Sequence, residues 1–93
     1  MKQRRLGRTG IMVSEISLGT WAIGGPYWTQ GDPTGWSGPL DEDEIVEAIN
    51  LAVDHGVNHF DTADVYGYGK SERLLGKALG KRRNNVAIAT KVG

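Results

Sequence analysis

Residues 41–92, DEDEIVEAINLAVDHGVNHFDTADVYGYGKSERLLGKALGKRRNNVAIATKV, alternate between helical and extended patterns. Asp41 is a good helix N-cap, and Glu44 three residues later completes a capping-box pattern. Ile45, Ala48, Ile49, Ala52 and Val53 then form an apolar stripe at helical spacing. Gly56 suits the left-handed residue that stops such a helix. Residues 57–61 read as a strand, and 62–70 as a loop holding Gly67 and Gly69. Ser71 is expected to cap a second helix whose buried face is Leu74, Leu75, Ala78 and Leu79 and whose end is Gly80. Lys81, Arg82 and Arg83 fall at its last turn, where cations suit the helix dipole. Residues 86–92 form a further strand, in which Val86, Ile88 and Thr90 alternate with Ala87, Ala89 and Lys91.

Upstream, residues 3–15 read as a hairpin turning at Thr9-Gly10. Residues 16–21 are a brief β-prone run with Ile16, Leu18 and Thr20 on one face and Ser17, Gly19 and Trp21 on the other. Residues 22–40 follow as a long loop carrying all three prolines, five glycines, Trp28 and Trp36. A loop of that length inside a compact domain is usually functional or disordered, and its aromatic content favours function. The order hairpin, β, long loop, α, β, loop, α, β implies an α/β fold with parallel strands joined by crossover helices. An open doubly wound sheet and the start of a (β/α)8 barrel both satisfy it. Polar residues at the C-terminal ends of the second and third strands favour the barrel, which places its chemistry there.

Composition narrows the function. Eleven Lys+Arg balance eleven Asp+Glu, which argues against nucleic acid or an anionic membrane as partner. Cysteine is absent, which excludes disulfides, a thiol nucleophile and cysteine-based metal sites, and no metal site is expected. No apolar run approaches the roughly 20 residues of a membrane span, and the basic start MKQRRLGRTG lacks the apolar region of a secretory signal. A soluble, cytoplasmic chain is expected.

Three residues converge if the strands are adjacent and parallel. Asp61 ends the second strand, Lys91 ends the third, and Tyr66 lies five residues after Asp61 in the loop from the same strand end. Strands roughly 4.8 Å apart let the carboxylate and ammonium pair. An ammonium beside a phenol favours the phenolate, so the phenol becomes a better proton donor. Asp61 would hold Lys91 in place and keep it charged. The competing reading is a structural ion pair with a tyrosine packing a loop. Gly69-Lys70-Ser71 resembles the end of a phosphate-binding loop, but the glycine required five residues before Gly69 is Asp64. Trp21, Tyr27, Trp28 and Trp36 are candidates to line a substrate pocket or to cover the barrel mouth.

The segment HFDTADVYGYGKSERLLGKAL followed by VAIATKVG resembles the aldo-keto reductase family, whose pattern is FDTAxxYG, then G-x-SE opening a helix, then a strand ending in TK. LGRTGIMVSEISLGTWAIGG resembles the family's hairpin and first strand, and the bacterial stress-type members share the GTWAIGG opening. The resemblance implies NADPH-dependent reduction of aldehydes or ketones by hydride transfer. It places the catalytic aspartate, tyrosine and lysine on Asp61, Tyr66 and Lys91. Gly19, Thr20 and Trp21, with Asp61, would line the nicotinamide end of the cofactor site. The family's fourth catalytic residue, a histidine near the end of the fourth strand, has no counterpart at His55 or His59. On this reading residues 1–93 are a partial domain, truncated after the third barrel strand. An incomplete enzyme is one expectation. A non-catalytic remnant or half-barrel that associates with other chains, or with itself through exposed sheet edges, is the other.

Overall fold

A computed structural model describes residues 1–93. At the start, β1 (Gln3–Arg5) and β2 (Met12–Ser14) form the expected hairpin, with Gln3 opposite Ser14. Its reversal ends at Gly10, where φ is +75°. The extended run 16–21 reduces to β3 (Leu18–Gly19). The loop 22–40 is more ordered than its sequence suggests, because β4 (Trp28–Thr29) and β5 (Asp32–Pro33) make a small antiparallel ribbon. Proline is tolerated there because an edge strand can do without its N–H.

Asp41 caps α1 (Glu42–Asp54) as predicted, its carboxylate accepting from the backbone N–H groups of Asp43 and Glu44 at 2.9 and 3.2 Å. Gly56 follows with φ +98°. The next strand, β6 (His59–Asp61), is shorter than 57–61. The Val57 N–H is taken by the Ala52 carbonyl, and the Asn58 N–H by the Ser14 hydroxyl, so neither is free for a sheet ladder. Asn58 also clamps the hairpin to the N-terminal end of β6, accepting from Ser14 N at 2.6 Å and donating to the Met12 carbonyl at 3.1 Å.

The second helix, α2 (Lys70–Leu79), departs from expectation at its start. Its N-cap is Gly69, with φ +95° and no side-chain cap, and Ser71 lies inside the helix. After a 3-10 stretch from Gly80 to Asn85 the chain enters β7 (Ala87–Ala89). This strand is shorter than the expected 86–92 because its ladder to β6 stops at the Asp61–Ala89 pair, so Lys91 lies past the strand end. Arg82 in that stretch pairs with Asp54 at 2.7 Å and donates to the Asn50 carbonyl, so it ties α1 down.

The central sheet is parallel, in the order β3–β6–β7, with Gly19, Asp61 and Ala89 in register across it. Alternation sends Leu18, Phe60 and Ile88 to one face. There α1 and α2 pack on the sheet and on each other, around Ile45, Ile49, Val57, Phe60, Leu74, Leu75, Ala78 and Leu79. The opposite face carries Gly19, Asp61 and Ala89 and has no helix over it. Both outer strands are unpaired on one side. A cavity of about 260 Å³ flanks the β3 edge beside α1, and one of about 250 Å³ flanks β7 beside α2. Both helices lie on one face of the sheet, the arrangement of the opening portion of a (β/α)8 barrel and not of a doubly wound sheet, which carries helices on both. No helix is long and apolar enough to cross a membrane.

Candidate active site

The site is built where the three parallel strands end. Thr20 N donates to the Asp61 carbonyl at 2.9 Å, and Thr62 N donates to the Ala89 carbonyl at 2.8 Å, so the three strand ends are locked at one height. Two residues past Ala89, Lys91 reaches back over β6. Its Nζ donates to Asp61 Oδ2 at 3.1 Å and to the Thr62 carbonyl at 2.7 Å. The same ammonium lies 5.4 Å from the centre of the Tyr66 ring, within cation–π range. Asp61, Tyr66 and Lys91 are therefore brought together as strand-end geometry predicted.

The hydrogen bond to Asp61, seconded by its negative charge, holds the Lys91 ammonium above the usual lysine value, while desolvation opposes it. Both partners are about half exposed, so the pair orients groups more than it stabilises the fold. A raised lysine value means that its contribution is complete below the unfolded value, about pH 10.4. It disappears as pH climbs through the higher folded value. The melting difference between the natural chain and Lys91→Met is thus expected to stay flat through neutrality and to shrink only in strong alkali. A difference that vanished between about pH 6 and 9 would contradict the pair.

Tyr66 is presented by a turn held against the long loop. A Cβ on Gly24 would lie 2.7 Å from the Tyr66 carbonyl carbon and oxygen, and a Cβ on Gly67 would overlap the Gly24 carbonyl. Gly67 also has φ +65°. The two backbones touch directly, which glycine at both positions permits.

Ser71 belongs to the support of this site and was not legible as such. Fully buried, its hydroxyl lies 2.9 Å from the Thr20 carbonyl, 2.8 Å from Thr20 Oγ1 and 2.8 Å from Thr62 Oγ1. Thr20 Oγ1 donates in turn to the Asp61 carbonyl at 2.9 Å. One consistent proton order runs from Thr62 to Ser71 to Thr20 to the Asp61 backbone. Helix α2 thereby clamps β3 to β6 at the height of the site. Ser71→Ala is expected to cost about 1–3 kcal/mol in urea unfolding, since it leaves buried hydroxyls without partners. A change within about 0.5 kcal/mol, the usual range for an inert surface substitution, would show that the hub is dispensable.

The other expected residues are placed unevenly. Gly19 lies open, and a Cβ there would meet nothing within 4 Å. Thr20 is buried with its hydroxyl, N–H and carbonyl all committed within the chain, so it supports the site from beneath and presents no free polar group to a ligand. Trp21 is partly exposed, with Trp36 edge-on to it at 6.3 Å. Trp28 is exposed, and its backbone N–H and carbonyl are both held by the Tyr68 hydroxyl. His55 follows α1 and His59 opens β6 at the end away from Asp61.

Residues 15–93 match the sequence profile described as the Aldo/keto reductase family. The NADH-specific methylglyoxal reductase of Escherichia coli (strain K12) is 43% identical, over 100% of this chain and 27% of that protein. The structure of aldo-keto reductase AKR11C1 from Bacillus halodurans in its holo form superposes with a TM-score of 0.79 at 33% identity, covering 100% of this chain and 26% of that one. An aldo-keto reductase from Klebsiella pneumoniae in complex with NADPH gives a TM-score of 0.69 at 29% identity, covering 89% of this chain and 25% of that one. The chain spans about a quarter of the length of the curated relatives it matches.

Proposed function

Because the chain belongs to the aldo/keto reductase family, we propose that residues 1–93 carry the proton-donating part of a site that reduces small aldehydes or ketones to alcohols with NADPH. The observation that carries this reading is the Lys91 ammonium, hydrogen-bonded to Asp61 and poised at the Tyr66 ring. Tyr66 acts as general acid, giving its phenolic proton to the carbonyl oxygen. The nicotinamide, when bound, supplies the hydride that the carbonyl carbon accepts. Lys91 offsets the negative charge left on the phenol, and Asp61 keeps Lys91 protonated and aimed. Water returns the proton to Tyr66 after the alcohol leaves.

The cofactor's ring fits what this face offers. Gly19 and Ala89 flank Asp61 in one row, and nothing overhangs Gly19. Gly19, Trp21 and Asp61 would hold the nicotinamide there, with the buried Thr20 fixing the floor beneath them. The E. coli relative is NADH-specific by name and the Klebsiella relative was solved with NADPH, so both dinucleotides belong in the binding experiment. A cytoplasmic setting is compatible with the cysteine-free composition.

A second reading rests on the unpaired edges of β3 and β7 and the cavities beside them. Unpaired edges are templates for further strands, so the chain would associate through them with a second copy of itself. Nicotinamide fluorescence titrated at low and high chain concentration, followed by aldehyde turnover with a Tyr66→Phe control, tests both readings. Saturable binding that appears only as the chain self-associates supports them together. No binding at any concentration overturns the reductase reading for this chain.

A further inference from the structure

We propose that Tyr27 is a positioning residue for Tyr66, acting through ring packing and not through its hydroxyl. The proposal rests on the reading of Tyr66 as the general acid. Tyr27 sits in the otherwise exposed loop segment 26–34, yet it is only 4% exposed. It is no part of the helix–sheet core around Phe60. Its neighbours are instead the aromatic rings of the site. The Tyr27 ring centre lies 6.2 Å from that of Tyr66, tilted by 42°, and 6.2 Å from that of Tyr68, nearly perpendicular at 75°. Such spacings fall in the range of favourable aromatic pairs.

Three further contacts fix Tyr27 itself. Its hydroxyl accepts from the Trp21 indole N–H at 3.2 Å. Its carbonyl accepts from Thr34 N and Gly35 N at 2.9 and 3.0 Å, so the β4–β5 ribbon closes behind it. The neighbouring Trp28 backbone is gripped by the Tyr68 hydroxyl, which joins the long loop to the turn that presents Tyr66. Tyr66 thus has the Lys91 ammonium against its ring and Tyr27 as its aromatic neighbour. Without Tyr27 the phenol would be free to turn away from Lys91, and small misplacements of a reacting group cost rate steeply.

The test uses the whole chain with ring-labelled tyrosines, labelled lysines and indole-labelled tryptophans, observed by NMR beside steady-state kinetics with NADPH and a small aldehyde. Tyr27→Leu is expected to weaken the nuclear Overhauser contacts between the Tyr66 ring and the Lys91 side chain and to lower kcat about 10–100-fold, with KM for the aldehyde changed by less than about threefold, the pattern of a lost transition-state alignment. Tyr27→Phe should keep those contacts, move the Trp21 indole N–H resonance, and recover most of kcat. Unchanged Tyr66–Lys91 contacts and kcat in Tyr27→Leu would overturn the proposal. So would lost Tyr66–Lys91 contacts, or a kcat lowered more than about tenfold, in Tyr27→Phe, and this arm stands even where the leucine variant fails to fold. A natural chain that turns over no aldehyde, but whose Tyr66–Lys91 contacts weaken in Tyr27→Leu alone, would sink the reductase reading and leave the positioning intact.

Discussion

Tyr66→Phe is expected to lower aldehyde turnover about 10²–10⁴-fold, the usual contribution of a positioned general acid. The substitution removes one oxygen and keeps the ring that packs on Tyr27 and faces Lys91. Dinucleotide binding should therefore hold within about twofold, because the lost interaction is made only as the carbonyl oxygen takes up charge. The measurement is the rate of nicotinamide fluorescence decay at saturating aldehyde, set beside a binding titration of the same variant. Equal loss of binding and turnover would mean that Tyr66 shapes the cofactor site and donates no proton. Undiminished turnover would move the acid elsewhere.

Phe60→Ala carries the largest expected effect on stability. Phe60 is fully buried at the middle of β6, between the two outer strands and beneath both helices. Truncating a buried phenylalanine typically costs about 3–5 kcal/mol, from lost burial together with the cavity left behind. A chain of this size has a total stability of roughly 5–14 kcal/mol by the usual per-residue scale. This one packs a single sheet face, so its stability belongs at the low end. Urea denaturation followed by circular dichroism should find Phe60→Ala largely unfolded or melting at much lower urea. Leu51→Ala, on the exposed side of α1, should change stability by no more than about 0.5 kcal/mol. Equal losses at both positions would mean that the core lies elsewhere than around Phe60.

Much of the site was legible because it rests on alternation along strands. Asp61 ends β6 as expected, whereas Lys91 lies two residues past the end of β7, on the same alternation as Ala89, which the ladder pairs with Asp61. Tyr66 was legible because a five-residue loop cannot carry it far from Asp61. Thr20 shows where this reasoning stops. Its place at the end of β3 was correct, but its hydroxyl faces Ser71 and the Asp61 backbone. Ser71 looked like a helix cap because a serine just ahead of an apolar helical pattern commonly serves as one. In the structure a left-handed Gly69 starts the helix, which frees Ser71 to turn inward.

The sequence by itself determined the order of elements, the helix boundaries at Asp41, Gly56 and Gly80, the apolar stripes of α1 and α2, and the meeting of Asp61, Tyr66 and Lys91. These depend on neighbours a few residues apart or on the two-residue period of a strand, and both are visible in one dimension. Only the tertiary structure decided what Ser71 and Tyr27 do and how the long loop is seated. Their partners lie far along the chain, with Thr20 51 residues from Ser71 and Tyr68 40 residues from Trp28. Such contacts arise when the loop after β3 folds over the loop after β6, and no local pattern encodes which hydroxyl or ring will face which.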